Sequence, residues 1–258
     1  MGGADSEDEV LTEDEVSDEE EIRDTHGKLA YLSQCETLGL TPVSQVLKYL
    51  EQDDMHVTHY GLGVRGVSAL AEALKINSNL TVLRLGDNNL GPEGTSVVCE
   101  ALLKNTCVQE LDLSENHLGT APIGLGRETI SKLLSAKPTG VHSLHLRANK
   151  LSDADAVVLS EVLSENRTLT YLDLSINTFG EKAGLALGNM LHSGTKLKEL
   201  NLGWNKLRTR GSTAIAEGLK ANNTLEVVNL GWNGVSDDGF SAIGEALAVN
   251  SAVVEIIL

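Results

Sequence analysis

Aromatic side chains, cysteine and proline are all scarce in this chain. Aromatic residues make up 3% of its 258 residues, and there are four prolines and three cysteines. So few rings, in a chain that is 41% hydrophobic, indicate a core of stacked aliphatic side chains. The cysteines, Cys35, Cys99 and Cys107, are odd in number and lack the spacing of metal ligands, which suits reduced thiols in a cytosolic protein.

Long apolar runs and excess positive charge are also missing. No apolar run approaches the roughly 18 residues of a membrane span, and no charged-then-apolar leader marks the chain for export. We therefore expect a cytoplasmic protein that does not bind membranes. The formal net charge is −17 and no basic stripe compensates, so the phosphate backbone of a nucleic acid would repel the chain.

Much of the negative charge lies at the start of the sequence. The first 24 residues hold 12 acidic residues and one basic residue, a net of −11 from the total of −17. Such a segment has too little apolar surface to offset its ordering entropy, so residues 1–26 are predicted to be a disordered acidic tail. Ser6, Thr12 and Ser17 each precede an acid by three residues, a pattern that resembles casein-kinase-type acceptor sites. A regulated tail and a merely solubilising tail both fit.

What the chain does contain is a repeat. The pattern L-x-x-L-x-L-x-x-N-x-L recurs six times, and the steps between successive asparagines are 28, 33, 28, 28 and 28 residues. In each copy the apolar residues first alternate, as Leu83 and Leu85 do, and then take helical spacing, so each unit reads as strand, loop and helix. This is the signature of a leucine-rich-repeat solenoid. The six asparagines are Asn88, Asn116, Asn149, Asn177, Asn205 and Asn233.

Stacking of these units determines the predicted architecture. No unit can bury its own apolar face, so neighbouring units join their strands in a parallel sheet and merge their leucines into one core. We predict an α/β horseshoe over residues 55–258, with the sheet on the concave face, helices on the convex face, about seven repeats and a truncated last strand. Each asparagine is expected to bond backbone groups where the chain leaves the strand.

The two ends of the solenoid differ. Residues 27–54 are predicted to be a helical cap, because apolar residues follow helical spacing and Thr41-Pro42 is typical of a helix start. The sequence ends in the apolar run 253–258, a strand without a polar cap. Either this is a shortened product of a longer gene or the strand edge pairs with something, which includes self-association. A tolerated short edge strand is the plainer alternative.

The helical halves of the repeats carry a more specific resemblance. The segments Leu62-Gly-Val-Arg-Gly66, Leu90-Gly-Pro-Glu-Gly94 and Leu207-Arg-Thr-Arg-Gly211 lead into Ala-Glu-Ala-Leu74 or a relative of it. They resemble the ribonuclease-inhibitor-like class of leucine-rich repeats, which also supplies the sensing arms of NOD-like receptors and the Ran GTPase-activating protein. The resemblance covers residues 55–258 and implies a protein-binding solenoid.

No pattern in the sequence predicts catalysis. Gly61-Leu-Gly63-Val-Arg-Gly66 matches the dinucleotide motif G-x-G-x-x-G, but Gly91 and Gly94 partly repeat it, so the solenoid accounts for it. The pairs His56 with His59 and His142 with His145 have odd spacing, which sends their members to opposite faces of a strand. We therefore expect no catalytic residues, no cofactor and no metal.

Both tryptophans of the chain, Trp204 and Trp232, occupy equivalent positions on adjacent repeats, just before the asparagine. They are predicted to stand side by side at the rim of the concave face, beside the small residues Gly203 and Gly231. Exposed aromatic residues flanked by glycine are typical of a binding hot spot, although two copies of a tryptophan that only pack on each other would give the same pattern. The other predicted contact residues are Tyr171 and Ile176, with the bordering acids Asp112, Asp173, Glu110 and Glu199, which favour a basic or mixed protein surface.

Three kinds of function remain open on the sequence. The favoured hypothesis is a cytosolic scaffold or adaptor that binds a protein through the concave face. The second is an enzyme regulator, either an inhibitor or an activator of a small GTPase, as the resemblance implies. The third is a structural component of a ciliary or cytoskeletal assembly.

Overall fold

The computed structural model describes residues 24–120 and 125–258. The acidic segment that precedes them, with Ser6, Thr12 and Ser17, lies outside the described residues.

Strands and helices alternate along the described chain. Every strand is three residues long, with a buried residue at its centre in the first seven. The strands are β1 Asp54–His56, β2 Val82–Arg84, β3 Glu110–Asp112, β4 Ser143–His145, β5 Tyr171–Asp173, β6 Glu199–Asn201, β7 Val227–Asn229 and β8 Glu255–Ile257. The helices are α1 Lys28–Thr37, α2 Ser44–Tyr49, α3 Gly63–Leu74, α4 Gly91–Leu102, α5 Leu125–Ser135, α6 Asp153–Glu165, α7 Glu181–Ser193, α8 Arg208–Ala221 and α9 Asp237–Val249, with a 3₁₀ turn at Leu118–Thr120.

The described strands form one parallel sheet in sequential order from β1 to β8. Register is kept throughout: Glu110 aligns with Ser143, Tyr171 aligns with Glu199, and Val227 aligns with Glu255. The helices of successive repeats, from α3 to α9, pack against one another. This architecture confirms the predicted α/β solenoid, because strand–helix repeats of nearly constant length stack their strands in chain order.

The core is a continuous stack of aliphatic side chains between the sheet and the helices. Leu83, Leu111 and Leu144 from successive strands are at most 1% exposed. Phe179 is the bulkiest fully buried side chain in the described residues. An apolar layer shared by all repeats is what holds each unit to its neighbours.

The six predicted asparagines form a buried ladder just beyond the carboxyl ends of successive strands. Asn149, which is fully buried, donates from Nδ2 to the carbonyl oxygens of Leu113 (2.9 Å) and Arg147 (3.2 Å). Its Oδ1 accepts from the backbone N–H of Asn116 (2.9 Å) and of Leu118 (3.4 Å). One side chain therefore satisfies backbone groups in its own repeat and in the preceding one.

A second asparagine ladder, which we did not predict, runs along the opposite ends of the strands. Asn222 donates to the carbonyl of Leu191 (3.0 Å) and accepts from the N–H groups of Thr224 (3.0 Å) and Leu225 (2.8 Å). These bonds close the turn from a helix into the following strand. The members of this ladder are Asn77, Asn105, Asn166, Asn222 and Asn250.

Helices α1 and α2 lie at the start of the solenoid. The backbone N–H of Val43 donates to the hydroxyl of Tyr31 at 3.1 Å, which ties the start of α2 to α1. Asn77 donates to the carbonyls of His26 (2.9 Å) and Leu50 (2.8 Å), so both ends of this helical segment are bonded to the first repeat. The sheet begins at Asp54, one residue before the predicted boundary.

Candidate protein-binding surface

The concave face consists of four columns of side chains, one from each equivalent position of the repeats. The first two columns lie within the strands, include Tyr171 and Asp173 of β5, and follow the observed register. The third and fourth columns follow each strand and include Ser175 and Ile176 of the same repeat. Successive members of a column therefore stand about 4.8 Å apart from repeat to repeat.

Residues of the fourth column share an unusual backbone conformation. All have positive φ, with Trp204 at 58° and Trp232 at 59°. A residue other than glycine in this left-handed region is uncommon, and here the chain turns sharply as it leaves the strand. The column comprises His59, Asp87, Glu115, Ala148, Ile176, Trp204 and Trp232.

The structure places Trp204 and Trp232 in direct contact. Their ring centroids are 4.6 Å apart and the ring planes differ by 15°, so the indoles are stacked. Trp204 is nevertheless 56% exposed and Trp232 73% exposed. The backbone beneath them is held by a hydrogen bond of 2.8 Å from the N–H of Trp204 to the carbonyl of Gly231. The pair is thus a preformed apolar wall facing solvent.

The two other predicted apolar contacts occupy different places. Ile176 is in the same column as the tryptophans, one repeat earlier, and is 38% exposed. Tyr171 belongs to the first column, and its ring lies 4.8 Å from that of His145 on the preceding strand. The structure therefore groups Ile176 with the tryptophan pair and Tyr171 with the strand columns.

The four predicted acidic residues also differ in position and exposure. Glu199 is exposed on β6, the strand that leads to Trp204. Asp173 is only 7% exposed and its Oδ1 accepts from the N–H of Ser175 at 2.8 Å, so it is not an exposed contact residue as predicted. Glu110 and Asp112 lie on β3, three strands from β6, and do not border the tryptophans. Burial of Asp173 follows from its use as a turn acceptor, which the repeat pattern alone does not reveal.

Tyr171 of the first column is partly buried and lies near several carboxylates. Burial raises its pKa, and the negative charges of Asp173, Glu199 and the two carboxylates on β3 raise it further. Each of these effects disfavours the phenolate. Several carboxylates of the concave face therefore lie within electrostatic reach of Tyr171.

Ion pairs divide the concave face into two halves. In the first half, opposite charges neutralise each other across adjacent repeats. The pairs are Arg84 with Glu110 (2.7 Å) and Arg147 with Glu115 (3.3 Å), and Nδ1 of His59 lies 2.7 Å from a carboxylate oxygen of Asp87.

In the second half, from β5 to β8, the columns contain no lysine, arginine or histidine. Glu199 and Glu255 are both exposed there, and neither has an ion-pair partner among the described residues. Negative charge is thus uncompensated on the same half that carries the tryptophans.

Two amides that we did not predict as site residues lie between the carboxylates and the tryptophans. The Oδ1 of Asn201 accepts from the N–H of Gly203 (3.0 Å), and the Oδ1 of Asn229 accepts from the N–H of Gly231 (2.9 Å). A Cβ on Gly203 would lie 3.2 Å from Nδ2 of Asn229, so glycine leaves this amide uncovered. The sequence shows that these two asparagines are one repeat of 28 residues apart, but it does not reveal their turn bonds.

The remaining predictions concern metal binding, the glycine motif of residues 61–66 and membrane-spanning segments. Among residues 24–120 and 125–258, no group of three or more histidine, cysteine, aspartate or glutamate side chains is placed to hold a metal ion. Gly61 and Gly63 have positive φ at the start of α3, and a Cβ on Gly66 would lie 3.1 Å from the Cβ of Leu62, so these glycines serve the loop. No helix within the described ranges has the length and apolarity needed to span a bilayer.

Comparison with known proteins agrees with the repeat pattern. The family model described as Leucine Rich repeat matches residues 77–99, 104–121, 165–188, 195–216 and 221–244. Similar solved structures include leiomodin-1 actin-binding site 2, with 20% identity, a TM-score of 0.46 and coverage of 53% of this chain and 80% of that one. Another is internalin C2 from Listeria monocytogenes, with 18% identity, a TM-score of 0.44 and coverage of 89% of this chain and 92% of that one. The repeat spacing, the parallel sheet and the family match together show leucine-rich repeats between residues 77 and 244.

Proposed function

We propose that this protein is a non-enzymatic scaffold or adaptor that binds a protein partner through its concave face. The observation that carries the proposal is the exposed, stacked pair Trp204 and Trp232 on that face. Tryptophan is enriched in the small set of residues that supply most of the free energy of protein association. A rigid pair loses little conformational entropy when a partner covers it.

Mutual packing alone does not explain the pair. Phe179 of the core is fully buried, whereas the two tryptophans keep 56% and 73% of their surface exposed despite their stack. Apolar area left in water contributes nothing to folding, while covering it with a partner would contribute about 25 cal/mol per Å². The favourable free energy of covering these rings is therefore available to a partner.

The same proposal includes finer assignments. We assign the repeats to the ribonuclease-inhibitor-like class, and the segments Tyr31-Leu-Ser-Gln-Cys35 and His59-Tyr-Gly-Leu-Gly63 resemble the start of the leucine-rich repeat-containing protein 74 group. We also assign the protein to the cytoplasm, with residues 1–26 as an acidic tail, 27–54 as a cap and 55–258 as the binding solenoid. No cofactor, membrane or nucleic acid is part of this function.

The proposal is tested by affinity capture from cell lysate with the wild-type chain and with Trp204→Ala/Trp232→Ala. A matched control is Val157→Ala/Leu185→Ala, because these residues are 40% and 50% exposed at equivalent positions of α6 and α7 on the opposite face. Circular dichroism should show all three proteins folded.

We expect the tryptophan variant to lose one or a few partners that the wild type and the control retain. Retention of every partner by the tryptophan variant would contradict the proposal and leave the stacked pair with a structural role only.

A further inference from the structure

The second half of the concave face carries two kinds of group, the carboxylates of the first column and the indole rings of the tryptophan wall, separated along each repeat. Along one repeat, Glu199 of the first column and Gly203 beneath the tryptophan wall are four residues apart. Extended backbone rises about 3.3 Å per residue, so roughly 13 Å separates the carboxylate column from the wall. No single side chain of a ligand is long enough to contact both the carboxylates and the indole rings. A ligand that contacts both must therefore be a longer segment.

The carboxylate end of this surface suits a cation. Glu199 and Glu255 stand in the same column two strands apart, or roughly 10 Å, with Val227 between them. A depression of about 130 Å³ is lined by Glu199 together with Tyr171, Asn201, Val227, Asn229 and Ile257. Burial raises the pKa of Tyr171, and the nearby carboxylates, Glu199 among them, raise it further.

The tryptophan end suits a flat ring rather than a second cation. Lys206 and Arg208 are exposed and follow Trp204 in the chain, so positive charge already lies near the wall. Trp204 and Trp232 stack with nearly parallel planes, and a further aromatic ring extends such a stack at a favourable spacing.

Between the two ends lie groups that match a polypeptide backbone. The Oδ1 atoms of Asn201 and Asn229 are engaged by the N–H groups of Gly203 and Gly231, which leaves the side-chain N–H groups as donors for carbonyl oxygens. Gly203 and Gly231 carry no side chain that would hold a backbone away.

We propose that this half of the face binds an extended polypeptide segment that carries an aromatic ring and, four residues along, an arginine or lysine. In an extended chain, residues i and i+4 point to the same side and are about 13 Å apart, which matches the surface. The ring stacks on Trp204 and Trp232, and the cation meets Glu199 and Glu255. This inference rests on the proposed function and specifies the partner's chemistry.

The two tryptophans are the only ones in the sequence, so intrinsic tryptophan fluorescence reports on this wall alone. The probe is the synthetic peptide Phe-Ser-Gly-Ser-Arg with blocked ends, together with its reversed order. Three comparison peptides replace phenylalanine by alanine, replace arginine by neutral citrulline, or remove one spacer residue so that the two side chains face opposite sides.

We expect a saturable change in tryptophan emission with at least one chain direction of the parent peptide. Each comparison peptide should bind at least about fivefold more weakly, because each loses one of the two anchors. In Glu199→Gln/Glu255→Gln, arginine and citrulline peptides should bind equally. The control Glu93→Gln/Glu161→Gln, which makes the same charge change at exposed positions on α4 and α6, should keep the preference for arginine.

The inference would be overturned if the peptide with one spacer residue removed, or the citrulline peptide, bound as tightly as the parent peptide. So would emission that changes with protein concentration in the absence of peptide, since a second copy of the chain would then occupy the face. If lysate partners depend on the tryptophans while no peptide changes their emission, this inference fails and the proposed scaffold function stands.

Discussion

Asn149 shows how strongly this fold depends on single buried amides. Its side chain makes four hydrogen bonds to backbone groups, two as donor and two as acceptor. We expect Asn149→Ala to lower the free energy of unfolding by about 3 kcal/mol, because at least one buried N–H and one carbonyl lose their partner. Urea denaturation measures the change. Asn79→Ala, at an exposed position, is the control and should change stability by less than about 0.5 kcal/mol.

Two buried titratable side chains predict loss of stability in alkali. Burial, and then the charge of Glu100, raises the pKa of the Cys99 thiol to about 12, and burial raises the pKa of Tyr31 to about 12. In the unfolded chain these pKa values are about 8.5 and 10. Because the folded-state values are higher, their stabilising contributions are complete below the unfolded values and fall as pH rises toward 12.

The free energy of unfolding should therefore begin to fall above about pH 8.5. In Cys99→Ala the fall should begin nearer pH 10, since only the tyrosine contribution remains. Urea midpoints measured from about pH 7 to 11 test this prediction, and identical pH profiles for the two proteins would disprove the role of Cys99.

At the scale of elements, α7 and α8 are in backbone contact. A Cβ on Gly188 would lie 2.2 Å from the carbonyl oxygen of Ala214, and one on Gly218 would lie 2.3 Å from the carbonyl oxygen of Gly188. Such distances are far inside van der Waals contact. The close approach of the two helices therefore requires glycine at these positions, although glycine is a poor helix former.

Gly188→Ala is expected to destabilise the protein by about 3 kcal/mol, because the helices must separate and their core contacts loosen. Gly244→Ala in α9 is the matched control, since a Cβ there meets nothing within 4 Å. Alanine should stabilise that helix by about 0.5–1 kcal/mol. Thermal or urea unfolding of the two variants should shift in opposite directions, and a shift in the same direction would refute the packing explanation.

At the scale of the whole molecule, each repeat contacts its neighbours, and the asparagine ladder links them. Asn88, Asn149 and Asn233 each donate a hydrogen bond to the carbonyl that directly follows the strand of the preceding repeat, as do the others of that ladder. Because these bonds and the shared core couple successive units, local loss of one repeat exposes buried groups in the next.

We therefore expect unfolding in urea to be one cooperative transition. Tryptophan fluorescence reports only the repeats of β6 and β7, whereas far-ultraviolet circular dichroism reports all helices. The two midpoints should coincide. An earlier loss of fluorescence would mean that the repeats near Trp204 and Trp232 unfold independently.

Much of the concave face could be predicted because the repeat length is nearly constant. Trp204 and Trp232 are 28 residues apart, and one repeat of that length advances the sheet by one strand. Their contact follows from this spacing. The second asparagine ladder escaped prediction because it is interrupted, with Pro138 and Gly194 at two of its positions, and because asparagine is common in any loop.

A fixed repeat period leaves one way to bury the leucines, and it therefore sets the fold, the register of the sheet and the residues that share each column. Which of those residues are available to a partner depends instead on the contacts of the folded chain. Asp173 is used as a turn acceptor, Glu110 is neutralised by Arg84, and Glu199 stays free. These differences arise from side-chain partners on neighbouring repeats, and periodicity carries no information about that choice.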